Sequence, residues 1–301
     1  MMRIQVNRTK SNDLIFNAVL YLVFTIILFV CLYPFYYIFL ISVSNTELTS
    51  RQIVTFYPLG FTLKNYVEVF QIKGLYRSFF ISTTRTVIGT VFTLFFTSIL
   101  AYTLSQRELI GRKIFYRIII TSIYLNAGLI PWYLVLRSLH LKDNFLVYIL
   151  PYAVSVYSMI LIKTYIEQVS PSIQESALVD GAGYFTIFIK IILPVSKPVL
   201  AAVTVFTAVN QWNLWMDNLL LVSNTNLRTM QLMLLEYLRQ AEAIASEIRN
   251  SGGSAKGAAY QISPFAVRMT ITMVVTIPIL LVYPVIQKYF VSGIMLGAVK
   301  E

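Results

Sequence analysis

Cysteine and histidine are almost missing from this 301-residue chain. Its single cysteine, Cys31, lies inside an apolar run, so no disulfide framework can form and no redox compartment is implied. The single histidine, His140, sits in a short polar segment; it excludes a His-rich metal site and argues against a His-based triad. We assign it no role and expect no metal. Charge is scarce too: Asp, Glu, Lys and Arg make up 12% of the chain, against about 25% in soluble domains. No G-x-x-x-x-G-K-[ST] phosphate loop is present. A convergent His, Asp, Ser or Cys constellation of an intramembrane enzyme is scarcely permitted by one His and one Cys. The formal net charge of +11 is spread over segments that flank apolar runs. With no basic block, anionic lipid headgroups are a better partner than nucleic acid.

What is abundant is hydrophobic sequence, 57% of residues. Charges punctuate it. None occurs between Asp13 and Glu47, and four more charge-free gaps of 19 residues follow Arg117, Asp143, Lys197 and Arg268. About 20 residues of helix, at 1.5 Å each, cross a hydrocarbon core of roughly 30 Å. Residues 79–104 form a further stretch, interrupted by Arg85 near one end, where the side chain can snorkel to the headgroups. The reading is an all-α polytopic membrane protein of about six spans, near 14–43, 79–104, 118–136, 144–162, 198–221 and 267–287. The first run exceeds a typical signal-peptide core of about 7–15 residues and lacks an A-x-A-like site, so it is read as a retained anchor. Asp217 is expected at the membrane surface.

Residues 1–13 read as a cytoplasmic N-terminal segment ahead of a transmembrane domain over 14–301. The basic loop Gln106–Arg117, with Arg3, Arg8 and Lys10, favours an N-terminus inside. An even number of spans then puts the C-terminus inside as well, and residues 223–266 form an outer loop. That loop holds a helical stretch, Met230–Ile248, followed by SGGSAKGAA, a flexible linker by composition.

The informative segment is SPSIQESALVDGAGYFTIFIKIILPVSKP, residues 170–198. Ser172 and Glu175 have capping-box spacing, and Pro171 suits a first helical turn. A short helix is predicted to about Val179, broken at Asp180-Gly181. A second amphipathic stretch, Tyr184–Ile192, leads into Leu193-Pro194 and the fifth span. This helix–turn–helix is too polar to insert and too ordered for a linker.

E-S-A-L-V-D-G-A-G with I-x-L-P at Ile191–Pro194 resembles the "EAA" loop, residues 170–194 here, of permease subunits of ATP-binding-cassette (ABC) importers. Ser176 stands where Ala is usual. Ala101-Tyr102-Thr103-Leu104-Ser105 is similar to the end of that family's second span, and Gly128-Leu129-Ile130-Pro131 to its third. Trp212-Asn213 and the tail, Gln287–Gly293 with Gly297–Lys300, resemble the carbohydrate branch. Within that branch the likeness is to permeases for complex polysaccharide or uronate-containing oligosaccharides, similar to the smaller member of the maltose-type pair.

The resemblance implies a type I ABC importer permease fold in a bacterial cytoplasmic membrane. It implies a transport subunit, not an enzyme, with a cytoplasmic coupling loop formed by Glu175, Ser176, Ala177, Asp180, Gly181, Ala182, Leu193 and Pro194. The implied partners are a second homologous permease, two cytoplasmic ATPases that hold ATP and Mg, an extracytoplasmic solute-binding protein, and the lipid bilayer around the permease pair. This chain itself needs no cofactor. Asn126, Tyr152, Ser155, Asn210, Trp212 and Asn213 are candidates for the translocation pathway. Polar groups within spans, among them Ser158 and Gln211, equally suit helix–helix hydrogen bonds, and Trp212 equally suits an interfacial anchor. The rival functions are a permease for a non-sugar solute and a stand-alone secondary transporter, which would place charges inside its spans.

Overall fold

The structure, a computed structural model, describes residues 10–50, 56–125, 127–250 and 265–281. Among these residues every regular element is helical. Residues 1–9, Asn126, the linker SGGSAKGAA, residues 282–287 of the sixth expected span and the family-like tail lie outside the described residues.

Helix α1 (Lys10–Ser42) and helix α3 (Leu75–Ser105) are long and apolar enough to cross a membrane. Between them lies the short α2 (Lys64–Phe70). The side chains of α1 are exposed all round over residues 14–36, a surface that water would not tolerate and lipid tails would.

Other apolar stretches are broken. Residues 118–136 are covered by α4 (Arg112–Tyr124) and α5 (Leu129–Ser138). Within 144–162, two 3₁₀ turns ending at Tyr152 meet α6 (Val156–Ile166) at 47°. Pro151 withholds a backbone donor there and Ser155 caps the new helix through Ser158 N. After α7 (Pro171–Val179), α8 (Tyr184–Val195) turns by 83° into α9 (Lys197–Asn213). A π-turn over Phe188–Ile192 precedes Pro194. Pro194 cannot donate within the helix, so the ladder is already irregular where the bend comes. Residues 198–221 are likewise interrupted, at Leu214, before α10 (Met216–Leu221). Helices α11 (Met230–Asn250) and α12 (Phe265–Leu281) complete the described chain.

The chain divides into two units: Met1–Gln71 with Gln240–Val274, and Ile72–Arg239 with Val275–Glu301. In the first, Leu40 and Ile41 pack with Tyr37, Leu59, Phe265 and Met269. Buried Asn65 fastens the end of α1 by donating to the carbonyls of Ser42 (3.0 Å) and Ser44 (2.9 Å).

The second unit is organised by α3. Its buried face carries small residues at helical spacing, Ser78, Ser82, Gly89, Thr93, Thr97 and Ala101, which allow close approach of backbones. Helices α9 and α6 pack along that face more extensively than any others. Ala101, Tyr102 and Leu104 at one end join Met159, Ile162, Ile166, Ile187, Phe188, Ile192 and Val203 in a core cluster. Ile81, about 30 Å away along the helix, joins Leu136, Leu141, Val147, Tyr148 and Leu221 in another.

Candidate functional site

Two constellations in the second unit answer to the sequence reading. The first is built on α7. Pro171 takes the first helical position, which puts the N-cap at Ser170 rather than Ser172. The capping box of Ser172 and Glu175 is therefore not formed: the N-cap makes no side-chain cap, and the Ser170 and Ser172 hydroxyls bond each other at 2.8 Å. The far end follows expectation. Gly181 has φ +81°, Gly181 N donates to Leu178 O (3.0 Å) and Ala182 N to Ala177 O (2.9 Å). These two bonds make a Schellman closure, which needs a residue comfortable at positive φ.

The closure sorts the loop into two faces. Ala177, Leu178, Ala182 and Leu193 pack against the cluster at the end of α3. Glu175, Ser176, Asp180, Gly181 and Pro194 are exposed. A polar rim braces the loop from the segment after α3. Gln106 donates to Gln174 (3.1 Å), Tyr184 donates to Glu108, and Arg112 donates to both Leu104 O (2.7 Å) and Glu167. Lys163 reaches the same Glu167 oxygen at 2.8 Å and lies 4.4 Å over the Tyr116 ring. The hydrogen bond to Glu108 pushes the Tyr184 phenol above its ordinary range, with desolvation adding to it. Between rim and α7 lies a cavity of about 330 Å³ that Arg107, Glu108, Glu167 and Glu175 help to line. Sequence reading passed over Glu108 and Glu167. The four-residue spacing of Lys163 and Glu167 was the available signal.

The second constellation is a cavity, also of about 330 Å³, framed by α3, α9 and the break before α6. Tyr152, Ser155 and Asn210, three of the six pathway candidates, line it together with Thr93, Ser158, Thr207 and Gln211. Thr207, Asn210 and Gln211 share one face of α9 because residues three and four apart do. Its size suits a ligand pocket, and the side chains that line it are uncharged.

The other candidates go elsewhere. Asn126 lies outside the described residues. Trp212 is buried, neither an interfacial anchor nor part of this cavity: its indole N–H donates to Val275 O (3.1 Å) and its ring meets Phe79 edge-on at 6.1 Å. It lines a separate apolar cavity with Val87, Val205 and Pro278. Asn213 is exposed and accepts from Gln231 at 2.9 Å.

Two expectations are overturned next to the uncharged cavity. Arg85 does not snorkel and Asp217 is not at a surface; they are 1% and 0% exposed and form a forked pair, Nη2–Oδ2 2.5 Å and Nη1–Oδ1 3.1 Å. Arg85 also donates to Leu214 O and Gln211 Oε1, each at 3.2 Å, and stacks 4.6 Å over the Tyr148 ring. Asp217 Oδ1 accepts from Asn218 N (2.8 Å). Asn218 donates to Tyr148 OH (2.6 Å) and accepts from Thr229 N (2.9 Å) and Oγ1 (3.1 Å). The physical reason is that a lone charge inside an apolar bundle seeks the nearest opposite one, here the acid at the break between α9 and α10.

No family model matches the chain. It is 32% identical over 286 residues to the polygalacturonan/rhamnogalacturonan transport system permease protein of Bacillus subtilis (strain 168), a match covering 95% of this chain and 98% of that protein. It superposes with a TM-score of 0.82 and 30% identity on a chain from the crystal structure of a bacterial ABC transporter involved in the import of the acidic polysaccharide alginate, covering 94% and 99% of the two chains. A chain from a bacterial alginate ABC transporter in complex with an alginate pentasaccharide-bound periplasmic protein shares the fold at a TM-score of 0.56 and 15% identity, over 93% and 96%.

Proposed function

The chain belongs to the permease family of carbohydrate ABC importers, and from that premise we propose how its two constellations divide the work. The loop closed by Gly181 is the coupling knob that docks on a cytoplasmic ATPase. The uncharged cavity lined by Tyr152, Ser155 and Asn210 is this subunit's share of the route for an oligosaccharide or polysaccharide fragment. A second permease supplies the rest of that route, and a solute-binding protein delivers the sugar from outside. ATP and Mg reside on the ATPases. The protein then crosses a bacterial cytoplasmic membrane about six times, with both termini inside.

One observation carries the reading. The inner face of the knob packs on the core cluster that holds the ends of α3 and α9, and these two helices frame the cavity. A push on Glu175, Ser176 or Asp180 therefore reaches the cavity wall through close-packed side chains, which transmit displacement because the interior yields little. The buried ion pair does not favour secondary transport. Asp217 is paired with Arg85 and also accepts from Asn218 N, so the two buried charges compensate each other within the fold.

Purified with its partner permease, ATPases and binding protein, the complex should hydrolyse ATP faster when the binding protein is loaded. Glu175→Lys and Gly181→Asp should abolish that stimulation. An undiminished stimulation in both variants would remove the docking role from α7.

A further inference from the structure

The buried network around Arg85 ends in one unmet atom. A guanidinium only donates, so the Gln211 amide must turn its oxygen to Arg85 Nε, as it does at 3.2 Å. The flipped amide would set N–H against N–H, which makes its orientation a matter of chemistry and not of assignment. The consequence falls on the other side of the amide. Gln211 Nε2 is buried and meets no acceptor among the described residues. Yet Gln211, 1% exposed, belongs to the wall of the cavity that holds Ser155 and Asn210. Most buried donors in proteins are satisfied, and the exceptions call for a partner. Gly89 makes room for this amide: a Cβ there would lie 2.8 Å from both Cδ and Nε2 of Gln211.

We propose that Gln211 Nε2 donates a hydrogen bond to an oxygen of the transported saccharide, and that Arg85 is the positioning residue that holds the amide in its donating orientation. The inference rests on the carbohydrate-permease reading above. Asp217 cancels the charge of Arg85, and the side chains that line the cavity carry none. Hence this donor reads sugar oxygens, hydroxyl or carboxylate, and does not select for acidic sugars.

The test uses the complete transporter in proteoliposomes, with a galacturonate oligosaccharide and a neutral arabino-oligosaccharide as probes, each on a binding protein that accepts it. Gln211→Met should lower uptake of both by about three- to tenfold at saturating binding protein, the span of one ordinary hydrogen bond. Hydrolysis stimulated by loaded binding protein should persist, so sugar moved per ATP falls; a merely structural defect would lower both together. Gln211→Glu, which exchanges the donor for a charge, should hurt the galacturonate probe more. Should Gln211→Met fail to assemble, Gly89→Ala crowds the same amide without touching the ion pair and should shift uptake in the same direction. Wild-type uptake of both probes in an assembled variant would mean that only water meets Nε2, and would overturn the proposal. A loss confined to the acidic probe would overturn it too, in favour of charge selection. A wild-type transporter that moves no saccharide at all would instead overturn the reading on which the proposal rests.

Discussion

Removing Asp217 should damage this protein more than removing both members of its ion pair. In Asp217→Leu the Arg85 guanidinium, 1% exposed, loses two of its four hydrogen bonds and keeps its charge. Stranding a buried charge costs about 3–5 kcal/mol. Adding Arg85→Met removes the stranded charge, so the double variant should recover part of that loss. Recovery stays incomplete because Gln211 Oε1 and Leu214 O lose their donor, at about 1–3 kcal/mol for each acceptor left dry. The expected signature is a double-mutant coupling of about 2 kcal/mol, measured as unfolding free energy in mixed detergent micelles with secondary structure as the probe. Two single variants costing under about 1 kcal/mol, with an additive double, would show a pair screened by water as a surface bridge is, and the argument from burial would fail.

Further outcomes can be checked in the same complex. Gly181→Ala meets no atom within 4 Å, so its cost comes only from φ +81°, about 1–2 kcal/mol; stimulated ATP hydrolysis should fall in proportion to knob disorder, and Gly181→Asn should retain more of it. Glu167→Gln removes the anchor shared by Arg112 and Lys163 and should cost under about 1 kcal/mol of stability, while sugar uptake per ATP drops. Unchanged uptake per ATP would mean that the rim carries no coupling. Trp212→Phe loses the bond to Val275 O and should cost about 0.5–1.5 kcal/mol in the detergent assay. A selective loss of uptake at unchanged stability would place Trp212 on the sugar route after all.

Linear order and composition were enough to settle the class of this molecule. Sparse charge and apolar stretches of spanning length mark a membrane protein, because hydropathy is a property of the chain before it folds. The short helix ending at Val179 and its break at Gly181 were readable as well, since glycine turns depend on neighbours a few residues away. Packing decided the rest. Arg85 and Asp217, 132 residues apart, meet only because the small-residue face of α3 brings α9 and α10 close. Tyr152, Ser155 and Asn210 share a cavity while Trp212 lines another, because residues two apart on a helix point to nearly opposite sides. A charge or an amide acquires its meaning from what stands opposite it in space, and that is set by how helices pack, which no local pattern encodes.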